Sequence, residues 1–240
     1  MRVSLTWASK DILARRVIAL QGTSKYLKNF IARINAPRLG DINATFFFHP
    51  TMDASQLGRF IERTETLTSL IRAEVQTSAE GISVSFTDSG SSTRTPLSVQ
   101  ISCERLDWQL SSMAQVCDQF SPFLFRVEEL SLNTTQSPSG QQDVVGAQWL
   151  DLIRSFACAR DVWISNELTT DFLGALGQAN GGDTTVFPTL CHLSVENPTE
   201  IQEPPWDALL SFINSRALSN HPVKVNVPSQ CHICHLSCNF

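Results

Sequence analysis

Three cysteines and two histidines crowd the C-terminus, in the order Cys231-His232-Ile233-Cys234-His235-Leu236-Ser237-Cys238. Cys-x-x-Cys is a tight chelate turn, and its two thiolates suit zinc. Cys231 and Cys234 are therefore the candidate metal ligands. A two-cysteine, two-histidine finger places a paired histidine about twelve residues further on. The sequence reaches Phe240 before any such pair. His232, His235 and Cys238 lie too close to the pair to wrap one tetrahedron easily. The expectation is a truncated finger, with zinc the only cofactor suggested.

Elsewhere the residue types point away from catalysis. The phosphate-cradling Gly-x-x-x-x-Gly-Lys-Ser/Thr, the dinucleotide Gly-x-Gly-x-x-Gly, His-Glu-x-x-His and Gly-x-Ser-x-Gly are all absent from the sequence. His49, His192 and His221 fall in or after different strand segments and read as hydrogen-bonded or solvated side chains. Trp108, Trp149, Trp163 and Trp206 read as core, with an aromatic recognition surface the alternative. Gly174 and Gly177 read as the end of a helix. Lys and Arg number 18 against 23 Asp and Glu, a net charge of -5, so the broad basic footprint of a nucleic-acid binder is missing. No apolar run approaches a membrane span, and Lys10 and Asp11 interrupt any secretory h-region. Cys103, Cys117, Cys158 and Cys191 are scattered through apolar contexts and form no disulfide framework, which suits the cytosol or nucleus.

The elements that must carry any site are organised by a repeat. An apolar residue, two of any kind, a second apolar residue, one more and often a third recur as Leu39-x-x-Ile42-x-Ala44, Leu67-x-x-Leu70, Val127-x-x-Leu130-x-Leu132, Ala159-x-x-Val162-x-Ile164 and Leu190-x-x-Leu193-x-Val195. Weaker copies centre on Ile18, Val99 and Val225. The centres fall at 18, 42, 70, 99, 130, 162, 193 and 225, a spacing of 24 to 32 residues. Leucine-rich repeats have this strand pattern at roughly 20–29 residues. Between the strands the apolar period lengthens to that of a helix, as in Leu27, Phe30, Ile31 and Ile34, or Leu150, Ile153 and Phe156. Thr23 with Ser24, and Asp53, are placed to cap two of these helices. Strands joined by helical crossovers run parallel.

One unit departs from the rule. Gly81-Ile82-Ser83-Val84-Ser85-Phe86 alternates strictly and follows Ala73–Thr77 by three residues, which predicts a hairpin in place of a helix. The expected fold is α/β, a leucine-rich-repeat-like solenoid over residues 1–228, with a parallel strand-lined concave face and helices outside, followed by a tail over 229–240. Outward strand residues on that face, Asn43, Thr45, Ser131, Asn133, Ser165, Ser194 and Glu196, are the candidate partner contacts.

Four segments carry a family likeness. Ile101-Ser102-Cys103-Glu104-Arg105-Leu106-Asp107-Trp108-Gln109-Leu110-Ser111-Ser112, Asp41-Ile42-Asn43-Ala44-Thr45-Phe46-Phe47, Gln56-Leu57-Gly58-Arg59-Phe60-Ile61-Glu62-Arg63-Thr64 and Ser219-Asn220-His221-Pro222-Val223 resemble fungal F-box proteins with leucine-rich repeats from mushroom-forming species. The resemblance covers about residues 15 to 228. It implies a non-enzymatic scaffold whose repeats select a protein substrate, while an F-box docks the Skp-type adaptor of a cullin ubiquitin ligase. No Leu-Pro-x-Glu-Ile/Leu segment precedes the first repeat here, which departs from that plan. The tail is similar to the first half of a zinc finger that some relatives append. The expectation is thus binding of another protein, with no membrane partner. The alternative is a nucleic-acid-associated protein with a zinc-finger region after the repeats.

Overall fold

Alternation with a period of two makes each strand segment two-faced, and one face must be covered. In a computed structural model, which describes residues 17–33, 40–88, 95–135, 145–165, 168–179, 186–196 and 206–227, these segments form a single nine-stranded sheet. The strands are β1 (Val17–Gly22), β2 (Asp41–Phe47), β3 (Arg72–Ser78), β4 (Gly81–Thr87), β5 (Leu97–Ser102), β6 (Glu129–Thr134), β7 (Asp161–Ser165), β8 (His192–Glu196) and β9 (Lys224–Asn226). Their inward residues stand in register across the whole sheet. One row runs Ile18, Ile42, Leu97, Phe86, Ala73, Leu130, Val162, Leu193 and Val225. Its members are buried except the two at the sheet edges, Ile18 and Val225, which are partly so. Each fully buried aliphatic side chain contributes about 1.5–3 kcal/mol, so this ladder and the next one hold the sheet to its cover.

That cover is helical. The helices are α1 (Ser24–Ile31), α2 (Ser55–Glu62), α3 (Leu106–Asp118), α4 (Ser121–Leu124), α5 (Val145–Arg154), α6 (Thr169–Ala179) and α7 (Trp206–Leu218). Leu27 and Ile31 of α1, Leu57, Phe60 and Ile61 of α2, and Leu110, Met113 and Val116 of α3 join the inward strand residues in one continuous apolar cluster. Trp149 of α5, Phe172 of α6 and Phe212 of α7 belong to the same cluster. The opposite face of the sheet carries the outward residues and is partly or fully exposed.

The strand order is β1-β2-β5-β4-β3-β6-β7-β8-β9. Eight strands share one direction, and β4 alone runs antiparallel to its two neighbours. The predicted hairpin is present as β3–β4. It forms a three-strand meander with β5 that sits in the sheet in reverse, so β5 faces β2 and β3 faces β6. Units therefore stack in chain order from β6 to β9, but not through the middle of the sheet. The Leu67-x-x-Leu70 segment is also not a strand. Leu67 closes a 3-10 turn, Glu65–Leu67, and the strand begins at Arg72.

Reversal makes the β2-to-β3 and β5-to-β6 crossovers both span β4, and two glutamines, Gln115 in α3 and Gln119 at its C-cap, hold them together. The Gln119 side chain accepts from the Ala54 N–H at 2.7 Å and donates to the Met52 carbonyl at 2.8 Å. Gln115 accepts from the Met52 N–H at 2.9 Å. A third glutamine, the fully buried Gln109, donates to the carbonyls of Ser78 and Cys103 and ties the hairpin turn to the end of β5. Two sequence expectations are corrected by packing. Gly177 lies inside α6, where a Cβ would come 2.8 Å from the Ala208 Cβ; it is a contact point for α7 and not a helix end. Asp53 is not the N-cap of α2, which is Ala54; its carboxylate instead accepts from the Ser55 N–H and hydroxyl.

Asp53 also reaches Lys28 of α1, with Nζ 2.6 Å from Oδ2. The bond to Lys28, with that to Ser55, holds this carboxyl below the usual 3.8. Since the folded pKa is the lower one, the link contributes stability above pH 3.8 and loses it as the pH falls through the depressed value. Hydrogen exchange of the α1 amides should accelerate on that descent. In Asp53→Asn the acid step should vanish; an unchanged step would place its origin elsewhere.

Candidate functional site

The candidate site is the uncovered face of the sheet, and strand parity decides which side chains reach it. Asn43 is exposed there and Thr45 partly so, on β2. Ser131 and Asn133 stand on β6, Ser165 on β7 and Ser194 on β8, all part-exposed. Glu196 is placed by backbone register opposite Ser165. The sheet thus brings the seven expected residues onto one face, though Asn43 and Ser194 stand six pairings apart and form no single cluster. The Ser165 hydroxyl oxygen is buried with no partner among the described residues. Cys231 and Cys234 lie outside the described residues.

Trp163 was expected in the core and is not there. Val162 and Ile164 point inward and are buried, so Trp163 between them must point outward. Its in-register neighbours are Ser131 and Ser194, and the tryptophan is part-exposed. Strict alternation in Asp161-Val162-Trp163-Ile164-Ser165 held this signal, which the helical spacing of the other tryptophans obscured. Trp108 is also exposed, at 40%, stacked on Phe48 at 4.8 Å with the Arg105 guanidinium 4.2 Å above its ring. Trp149 does occupy the core. Trp206 opens α7, and its side chain is not described.

The face divides by chemistry. Over β3 and β6–β9 several polar groups are already paired with one another. Arg72 Nε meets Glu129 at 2.6 Å, His192 Nδ1 lies 2.7 Å from Asp161, Asn133 donates to Glu74 at 2.7 Å, and Asn226 to Ser194 at 3.3 Å. Over β1, β2 and β5 lies a depression of about 320 Å³ lined by Gln21, Asn43, Thr45, Phe47, Gln100 and Ser102, together with Ala19 and Leu20. Gln100 and Ser102 escaped the sequence reading because the adjacency of β5 to β2 is a product of the reversed meander, whereas Gln21 and Phe47 were legible from strand parity and were not among the expected contacts.

Groups with displaced titration lie on the helix side and apart from one another. Burial pushes the thiols of Cys103 and Cys117 up and the Asp171 carboxyl up. Burial likewise pulls the Arg216 guanidinium down; it donates to the carbonyls of Pro188 and Leu190 and anchors α7 to the approach to β8. Among the described residues, no three His, Cys, Asp or Glu side chains are grouped to hold a metal ion, and no helix is long and apolar enough to cross a membrane. Comparison with protein-family models, curated proteins and solved structures finds no match.

Proposed function

We propose that this chain is a non-enzymatic protein-interaction scaffold whose partner docks on the uncovered sheet face about Trp163. The observation that carries the reading is that indole, held on an interior strand between two serines, on a face the helices leave open. Tryptophan on a rigid element, ringed by small polar residues, is the usual anchor of a protein interface. The fold is read as a leucine-rich-repeat-like solenoid in which one unit has acquired the β3–β4 hairpin. The F-box likeness extends the proposal: the face selects a substrate for a cullin-type ubiquitin ligase. The four cysteines without disulfide partners, Cys103, Cys117, Cys158 and Cys191, favour a cytosolic or nuclear setting.

A photo-cross-linking residue placed at Ser131, beside the indole, tests this in extract of the source cells. Discrete adducts are expected from Ser131, and none from a probe at Glu62, which is exposed on helix α2. Trp163→Ala should remove the Ser131 adducts while the chain stays folded by circular dichroism. Adducts that survive Trp163→Ala, or that form equally from Glu62, would sink the proposal.

A further inference from the structure

We propose that the depression over β1, β2 and β5 is a binding site for a neutral saccharide. Three carboxamides, Gln21, Asn43 and Gln100, and two hydroxyls, Thr45 and Ser102, line it. None of the residues lining it is ionisable. No hydrogen bond ties any of the five side chains to another group among the described residues, in contrast to the paired groups over β3 and β6–β9. Unspent hydrogen-bonding capacity is therefore gathered around a single depression of the sheet.

The lining selects the ligand. A charged ligand meets no counter-charge there. An apolar ligand would cover five polar side chains and leave them unpaired, which is unfavourable. A carboxamide both donates and accepts, and so does a hydroxyl, so a polyhydroxylated neutral ligand can satisfy every lining group. Gln21, Thr45 and Gln100 stand in register on three adjacent strands, a row about 10 Å long at the usual strand spacing. That row suits the successive hydroxyls of one or two sugar rings. Phe47, 43% exposed at the rim, offers a flat apolar face for a ring to lie against; Trp108 cannot, because Phe48 and Arg105 occupy its two faces. The volume of about 320 Å³ is at the lower end of ligand pockets, which run from roughly 300 to 1,000 Å³, and fits a small ligand better than a macromolecular segment.

The test is an amide NMR titration of the full chain with the neutral trisaccharides cellotriose, chitotriose and mannotriose. Parallel titrations use a triglucuronate and an uncharged Ser/Asn/Gln peptide. Saturable shifts confined to β1, β2 and β5 are expected with at least one neutral trisaccharide, and none with the triglucuronate. Asn43→Ala and Gln100→Ala should each weaken that binding about five- to tenfold, as loss of one hydrogen bond does. Glu62→Ala, exposed on helix α2, should leave it unchanged. The proposal is overturned if no neutral trisaccharide binds at these strands by 10 mM, if only the peptide binds, or if the Asn43→Ala, Gln100→Ala double variant binds as the parent does. Because Trp163 lies on the other half of the face, the cross-linking result and this one stand or fall separately.

Discussion

Gly81→Ala is expected to unzip the middle of the sheet. A Cβ at Gly81 would collide with the Ile101 carbonyl oxygen and sit 3.2 Å from the Ser102 Cα, both of them backbone atoms. No side chain can swing aside to make room, so β4 and β5 must separate where Gly81 pairs with Ser102. Overpacking of this kind costs typically about 1–3 kcal/mol, and more where backbone must move. The reversed meander depends on that seam, since β4 is what joins β5 to β3. Urea unfolding should show a large drop in midpoint. Hydrogen exchange should lose protection first along β4 and β5. Gly174→Ala is the matched control: nothing lies within 4 Å of a Cβ there, and removing a helical glycine is worth about 0.5–1 kcal/mol of added stability. If Gly81→Ala unfolds at the parent's midpoint, the β4–β5 pairing described here is wrong.

Trp149→Ala should be the most damaging single truncation in the helix layer. The indole is fully buried on α5, within the same apolar cluster as Met113 and Val116 of α3 and Phe172 of α6. Phe/Trp-to-Ala changes in cores cost about 3–5 kcal/mol through lost transfer energy and the cavity left behind. A domain stable by roughly 5–15 kcal/mol would lose a large share of its margin. The phenylalanine variant should be much milder than its lost volume suggests. Trp149 Nε1 is buried with no acceptor among the described residues, and an unsatisfied buried donor itself costs about 1–3 kcal/mol. Trp149→Phe removes that penalty while refilling most of the space. Thermal denaturation of the two variants checks the ordering; equal losses would mean that the indole N–H has a partner in solution.

The paired charges on the open face explain why the sequence alone offered so little about function. Glu129, Asp161 and His192 stand thirty or so residues apart in sequence. Only strand register shows that they form a row with Arg72 and Lys224, and that Asp161 and His192 satisfy each other. The unpaired carboxamides of Gln21 and Gln100 were likewise invisible, being 79 positions apart in sequence yet in line across β2.

What the chain determined unaided is local and periodic. Apolar residues two apart in segments such as Leu130-x-Leu132, Val162-x-Ile164 and Leu193-x-Val195 force one buried and one open face on each strand. The helical spacing between them forces parallel crossovers, and Gly81–Phe86 after Ala73–Thr77 forces a hairpin. These follow from pattern because burial acts residue by residue. The tertiary structure alone decided the strand order and, through it, the composition of the open face. A meander of three strands presents the same apolar side whether inserted forward or reversed, so hydrophobic pattern cannot choose between the two. The choice rests on long-range contacts: Gln115 and Gln119 gripping the loop before α2, Gln109 gripping the hairpin turn, and Gly81 letting β5 approach.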